Sequence, residues 1–404
     1  MSSILSGKKV LLGVTAGIAA YKAASLVRMF IKSGAEVKVV MTPTAKDFVT
    51  PLTLSTLSKN PVHSSFYNEE DDNAEWNNHV ELGLWADIMI IAPATANTLS
   101  KMSTGNSDNL LLATYLSAKC PVYFAPAMDL DMYNHPSTHE TFRKLQDFGN
   151  IMIPAESGEL ASGLVGQGRM AEPSTIVSFI EKDILGKLPL RGQKVLITAG
   201  PTYEAIDPVR FIGNHSSGRM GIALASTAAN LGAQVTLILG PSSLKVSHTL
   251  IKVVPVVNAA SMYKAVVEAF DTCDVAIASA AVADYRPKNI ADQKIKKASS
   301  TFAIELERTT DILKWMGSQK STQFLVGFAL ETENEEKNAK EKLKKKNLDL
   351  IVLNSLNDKG AGFKSQTNKV TLINHKLEIK AFELKTKTEV AKDIFNEINR
   401  LRNV

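Results

Sequence analysis

The residues best equipped for chemistry fall into two groups, one in each half of a 404-residue chain. The denser group runs from Ile206 to Gly221 and gathers Arg210, Asn214, His215, Ser216, Ser217, Gly218 and Arg219 ahead of an Ala-rich stretch. Hydroxyls, amides and guanidinium groups donate hydrogen bonds, and glycines let a backbone come close, so such a run can cradle a phosphorylated anion. Asp284 follows an apolar run, where contacts to a metal-bound triphosphate or a ribose usually fall, and Lys294, Lys296 and Lys297 come soon after. In the first half His79 stands before a short apolar helix expected over residues 80–85. Its imidazole can move a proton near neutral pH, or can simply cap the helix or face solvent. Asn97 can hydrogen-bond a carboxylate or a flavin edge, or satisfy its own backbone. His135 and His139 are four apart, but Pro136 lies between them and no third ligand is near, so no metal is expected there.

Position is supplied by two glycine-bearing turns that follow apolar strand-like runs, at residues 10–17 with Gly13 and Gly17, and at 195–200 with Gly200. Each is followed by a Gly-Ala-led second strand, at Gly34 and Gly232, and by a third strand after Asp87 or Asp274. Strand, turn and helix, strand, strand opens a doubly wound sheet, whose ligands sit outside the strand C-terminal ends; free amides at a helix start there attract phosphate. The expected fold is α/β, two Rossmann-like doubly wound domains over residues 1–186 and 191–404, joined by the Gly- and Pro-containing stretch 186–192. A first helix is expected from near Ile18, a polar loop at residues 41–45, an irregular surface stretch through Pro51, Pro61 and the acidic run 69–72, and ligand-edge loops at 93–98 and 126–129. Four glycines between Gly158 and Gly168 suggest a mobile flap. Residues 333–347 carry Glu and Lys four apart, the mark of an exposed helix with a solvated face, although Lys342 and Lys346 share a side that could meet a phosphate.

Composition narrows the classes. A formal charge of +5 over the whole length calls for no polyanionic partner, so nucleic acid is not expected. Two distant cysteines give neither a metal spacing nor a disulfide framework, the N-terminal apolar run is broken by Gly13 and Gly17 before it reaches membrane-span length, and a cytoplasmic protein without a membrane partner is expected.

Taken together these residues resemble the bacterial bifunctional family that joins phosphopantothenoylcysteine decarboxylase to phosphopantothenate-cysteine ligase in coenzyme A biosynthesis. In the first half the resemblance is carried by Gly-Ile-Ala-Ala-Tyr-Lys at 17–22, His79, Ala-Pro-Ala-Thr-Ala-Asn-Thr at 92–98 and Pro-Ala-Met-Asp-Leu-Asp-Met-Tyr at 126–133. It implies FMN held by Gly13, Thr15, Gly17, Thr42, Pro93 and Thr95 in a pocket shared between subunits of a trimer. It also implies His79 as catalytic base, with Asn97, Met128 and Met132 at the substrate. Flavin answers a chemical need: oxidising the thiol side chain to a thioaldehyde creates the electron sink that the departing carboxylate otherwise lacks. In the second half the resemblance is carried by residues 197–202, 214–218, 280–284, 294–297 and 327–329. It implies attack of the 4′-phosphopantothenate carboxylate on the α-phosphate of CTP, giving an acyl cytidylate that cysteine captures. Asn214 would serve catalysis by steadying the acyl cytidylate and Lys294 by holding the triphosphate, Asp284, Thr310, Phe328, Lys342 and Lys346 would hold the nucleotide with Mg2+ borne mainly by its phosphates, and Arg210, Ser217 and Gly218 would bind substrate. A homo-oligomer follows from the same resemblance, a dodecamer built of trimers and dimers.

Three positions depart from the family pattern: Asp129 where asparagine is usual, Tyr133 where tryptophan is usual, and Ser162 where the flap usually offers a cysteine as proton donor. A hydroxyl is a far weaker acid than a thiol of pKa about 8.5. An alternative is therefore a ligase whose flavin-binding half is catalytically impaired. A pyridine-nucleotide oxidoreductase ranks below both, because neither turn shows the full Gly-x-Gly-x-x-Gly spacing with an acidic residue closing the next strand.

Overall fold

A computed structural model describes residues 3–67, 76–296, 302–331, 333–355 and 365–402. The acidic run 69–72 and Lys297 lie outside the described residues. The chain divides into two compact units, residues 2–184 and, with Met1, residues 185–404.

In the first unit six parallel strands stand in the order Val62–His63, Glu36–Met41, Lys9–Val14, Ile88–Ala94, Val122–Pro126, Ile151–Met152. The order reverses between Lys9–Val14 and Ile88–Ala94, which opens a crevice at their C-terminal ends. Helix Lys22–Lys32 buries Ala23, Leu26, Val27 and Phe30, the i, i+3, i+4, i+7 spacing of one helical face, against the sheet. The helix expected from Ile18 is preceded by a 3-10 turn, Ile18–Tyr21, that follows the extended Gly17. The stretch expected to be irregular holds a helix, Pro51–Ser58, because Thr50 caps it through the Thr53 N–H and Pro51 takes the first-turn place where its missing N–H costs nothing. The glycine-rich flap is a paired hairpin, Glu156–Glu159 with Val165–Arg169. Its glycines permit close approach: a Cβ at Gly166 would stand 2.5 Å from the Leu130 side chain, and one at Gly168, at φ +139°, would stand 2.6 Å from the Met128 carbonyl oxygen.

The second unit repeats the arrangement. Strands Ile251–Pro255, Gln234–Leu239, Lys194–Ala199, Val275–Ala278, Phe324–Glu331 and Leu350–Ser355 run parallel in that order, and Val370–Asn374 and Ile379–Ala381 add an antiparallel edge. Both units are thus doubly wound α/β layers with the same strand order. The charged segment forms helix Glu335–Lys345, and Lys340 meets Glu336 at 3.4 Å on its solvent side.

Candidate active sites

In the first unit two cavities open at the C-terminal strand ends and share Ala127 and Met128. One, of about 550 Å³, is lined by Thr42, Thr95, Asn97, Asn109, Met128 and Met132 among others. Two features of its wall lack polar partners. The Thr42 hydroxyl is buried without a hydrogen-bond partner among the described residues. Helix Ala96–Thr104 begins at Thr95 with no side-chain cap, so its first amides point outward unsatisfied, an arrangement suited to phosphate. Thr15 is buried and works within the wall: its Oγ donates to the Pro93 carbonyl at 2.7 Å and accepts from the Thr95 N–H at 3.2 Å, tying the first turn to the 93–98 loop. Gly17 borders the second cavity. Gly13, expected at the turn, lies inside its strand, and a Cβ there would collide with Leu111 at 2.6 Å and Ile91 at 2.7 Å, so this glycine serves packing under the sheet.

The second cavity, of about 530 Å³, lies between the start of the first helix, the Met128–Asp129 corner and the hairpin. Its cations are paired: Lys22 Nζ meets Glu172 at 2.8 Å and the Met170 carbonyl at 3.1 Å, and Arg169 meets the same carboxylate at 2.6 Å. Asp129 caps helix Leu130–Asn134 by accepting the Leu130 N–H at 2.7 Å, and Ser162 Oγ donates to it at 2.9 Å. Tyr133 is buried and packs on Phe142, with ring centroids 5.4 Å apart.

His79 borders neither cavity. It is the first residue of helix His79–Trp85, which Asn78 caps, and its Nδ1 is buried without a partner among the described residues, its ring edge-to-face with Phe66. His135 caps helix Pro136–Asp147 through the Ser137 N–H, and His139 packs edge-on to Tyr133. No group of three or more metal-ligating side chains occurs among the described residues.

In the second unit a cavity of about 440 Å³ at the C-terminal strand ends brings together Asn214, Ser217, Gly218, Asp284, Phe328 and Lys342 from four separate stretches of chain. Gly218, at φ +78°, opens helix Arg219–Asn230 without a side-chain cap and leaves its first amides facing the cavity. Asn214 Nδ2 donates to the carbonyls of Ala281 at 3.1 Å and Val282 at 3.3 Å, which fixes its amide plane and turns Oδ1 away from that strand end. Lys342, expected on a solvated helix face, turns inward: Nζ donates to the Phe328 carbonyl at 2.8 Å, and burial pushes its pKa down. Burial alone would raise the Asp311 carboxyl, but its pairing with Lys346 and the Lys314 N–H it accepts at 2.9 Å hold it below the ordinary range, while Thr310 is exposed beside it. Lys294 and Arg210 lie off this cavity wall. The cavity also includes Asn354, Asn368 and Lys387, which sequence reasoning missed. They lie 136 to 169 positions beyond Gly218 and carry no motif of their own; their only sequence signal is a place at a strand or helix end.

Comparison with known proteins now separates the families that could own such sites. Residues 2–185 match the family model described as Flavoprotein, and residues 190–401 match the DNA/pantothenate metabolism flavoprotein C-terminal domain. The coenzyme A biosynthesis bifunctional protein CoaBC of Bacillus subtilis (strain 168) is 45% identical over 403 residues, covering 98% of each chain. The chain belongs to this bifunctional family. Its Escherichia coli (strain K12) relative is 41% identical over 372 residues, 91% of each chain. A cysteine/cysteine sulfinic acid decarboxylase from an unknown prokaryotic organism is 56% identical over 355 residues, 87% of this chain and 98% of that protein. No described helix is long and apolar enough to cross a membrane.

Proposed function

We propose that this family member carries out two consecutive steps of coenzyme A biosynthesis. The second unit joins cysteine to 4′-phosphopantothenate at the expense of CTP and Mg2+, and the first unit decarboxylates the product to 4′-phosphopantetheine with FMN. The observation that carries the reading is the convergence of Asn214, Asp284, Lys342 and the open start of helix Arg219–Asn230 on one cavity. A free carboxylate has a poor leaving group and must be activated before an amine can displace it. The helix amides and the Lys342 ammonium would neutralise phosphate oxygens as charge builds at the α-phosphorus, and Asn214 Oδ1 and the Ser217 hydroxyl would orient the acyl group. Asp284 stands where it can meet Mg2+ or ribose.

In the first unit the unpartnered Thr42 hydroxyl and the uncapped amides at 96–98 fit a phosphorylated, polar-edged group such as FMN. When bound, FMN supplies the two-electron oxidation of the substrate thiol that makes decarboxylation feasible. Asn97 and Met132 would hold the substrate in that cavity, and Ser162 would face it from the other side of Met128. The position of His79, outside both cavities of its own unit, supports a homo-oligomer in which a neighbouring copy brings its imidazole to the flavin, as in the trimer-based dodecamer expected above.

One observation favours an additional substrate class. Asp129 is a carboxylate on a cavity wall whose two cations are already bound to Glu172, so a ligand there gains by presenting a positive group. Free cysteine and cysteine sulfinate carry an ammonium, whereas phosphopantothenoylcysteine carries a neutral amide at the same nitrogen. The test is incubation of the purified protein with 4′-phosphopantothenate, cysteine, CTP and Mg2+, following pyrophosphate, carbon dioxide and product mass, beside a second incubation with cysteine alone. Pyrophosphate and phosphopantetheine are expected in the first. A colourless protein that consumes no CTP would refute the reading.

A further inference from the structure

The turn between strands Tyr203–Ala205 and Phe211–Gly213 holds a carboxylate that is wholly enclosed: the side chain of Asp207 is 0% exposed. Its Oδ1 accepts the backbone N–H groups of Val209 at 2.9 Å and Arg210 at 2.8 Å, as any Asx turn requires. Its Oδ2 does something the turn does not need. It accepts Arg210 Nε at 3.0 Å, Arg210 Nη2, and the backbone N–H of Ile295 at 3.2 Å. Arg210 Nη2 in turn donates to the Ile295 carbonyl at 3.1 Å. The ion pair therefore offers Ile295 one acceptor and one donor, the service a neighbouring strand would give. A second tie lies close by, from the Ala291 N–H to the Ile206 carbonyl at 3.1 Å.

Ile295 lies between Lys294 and Lys296. The segment that carries them leaves the cavity wall after Asp284 along Tyr285–Pro287 and returns along Leu306–Arg308, and the ion pairs Arg286–Glu307 and Lys288–Glu305 reinforce its base. Those contacts secure the base, whereas Lys294 is held in place through Ile295. Enclosing a carboxylate is costly unless its lone pairs are filled, and here Arg210 and the turn amides are joined by one donor from a segment 88 positions away. An asparagine would serve the turn; an ionised aspartate with a forked guanidinium serves the segment.

We propose that Asp207 and Arg210 are positioning residues that hold the Lys294 segment, which follows the cavity-lining Asp284, with Arg210 acting through Ile295. The inference rests on the reading that Lys294 serves the triphosphate. Two variants of the full-length protein test it. Asp207→Asn keeps an acceptor for the turn amides but removes the charge, and Ile295→Pro removes the N–H that Asp207 holds from a segment outside both hydrophobic cores. In each, tryptic cleavage after Lys296 is expected to rise about tenfold, joined in Asp207→Asn by cleavage after Lys294, a bond that the following proline protects in the other variant; the KM for CTP rises about tenfold with kcat within about threefold, the scale of one lost hydrogen bond to a charged group. Decarboxylation by the first unit stays unchanged. Unaltered cleavage in both variants overturns the proposal, as does faster cleavage with the KM for CTP unmoved. If the unmodified protein consumes no CTP, the ligase reading fails on its own, and the cleavage rates still report whether Asp207 anchors the segment.

Discussion

Ser162 donates its hydroxyl to the carboxylate of Asp129 at 2.9 Å, so two of the positions at which this chain departs from its family pattern touch one another. The contact latches the hairpin onto the helix start at Leu130, where Met128 also bonds the Gly168 carbonyl at 3.1 Å. A hydroxyl bonded to an ionised carboxylate has its proton directed at that carboxylate. Passing that proton to a ligand needs the hydroxyl to turn away from Asp129, and the proton lost is then replaced from solvent.

Ser162→Ala is accordingly expected to keep its flavin and lose about 10²-fold in decarboxylation, the lower end of what a positioned proton donor contributes. Carbon dioxide release under saturating substrate measures it. An alanine variant as fast as the parent would mean that water supplies the proton.

Asp129→Asn removes the charge but keeps the cap and an acceptor for Ser162. Turnover of free cysteine, relative to phosphopantothenoylcysteine, should fall about tenfold, a loss of about 1.4 kcal/mol of charge pairing at a half-buried site. Competition between the two substrates in one reaction reads the ratio directly. An unchanged ratio removes Asp129 from any role in selecting the amine.

Burial pushes the pKa of Lys342 down. As pH rises this ammonium loses its proton before an ordinary lysine of pKa about 10.4 does, and its attraction for phosphate goes with it. The KM for CTP should therefore climb between neutrality and pH 10. In Lys342→Met it should be raised at every pH without that climb. A parent profile flat to pH 10, or the same limb in the methionine variant, would place the titrating group elsewhere.

Gly221 packs helix Arg219–Asn230 onto strand Lys194–Ala199 so closely that a Cβ would stand 2.3 Å from that of Ala199. Gly221→Ala should cost the second unit about 1–3 kcal/mol through overpacking and push the helix start off the cavity. Urea unfolding followed by Trp315 fluorescence gives the first quantity, and the KM for CTP gives the second. A variant as stable as the parent would show that the helix can shift without loss.

Much of this architecture is legible before any coordinates. The strand runs at 10–14, 36–40, 88–91 and 195–199 are short, apolar and closed by turn residues, so both parallel sheets follow from local pattern. Loop residues at their ends, Thr42, Asn97, Asn214 and Asp284, therefore fall on the ligand edge without further information. Less legible were elements whose signal is a cap rather than a period. Thr50-Pro51 starts a helix in a stretch that shows no apolar repeat, and the hairpin glycines look like flexibility although they mark contact with Leu130 and Met128.

Sequence alone determined the two doubly wound sheets and the turns at their C-terminal edges, because both depend on neighbours within a few residues. Tertiary structure decided what each side chain does there. Gly13 became a packing residue, Lys342 left its solvated face for the Phe328 carbonyl, and Asp207 reached across 88 positions to Ile295. The physical reason is shared: burial and hydrogen-bond partners are set by which strands and helices meet, and those meetings join residues far apart along the chain.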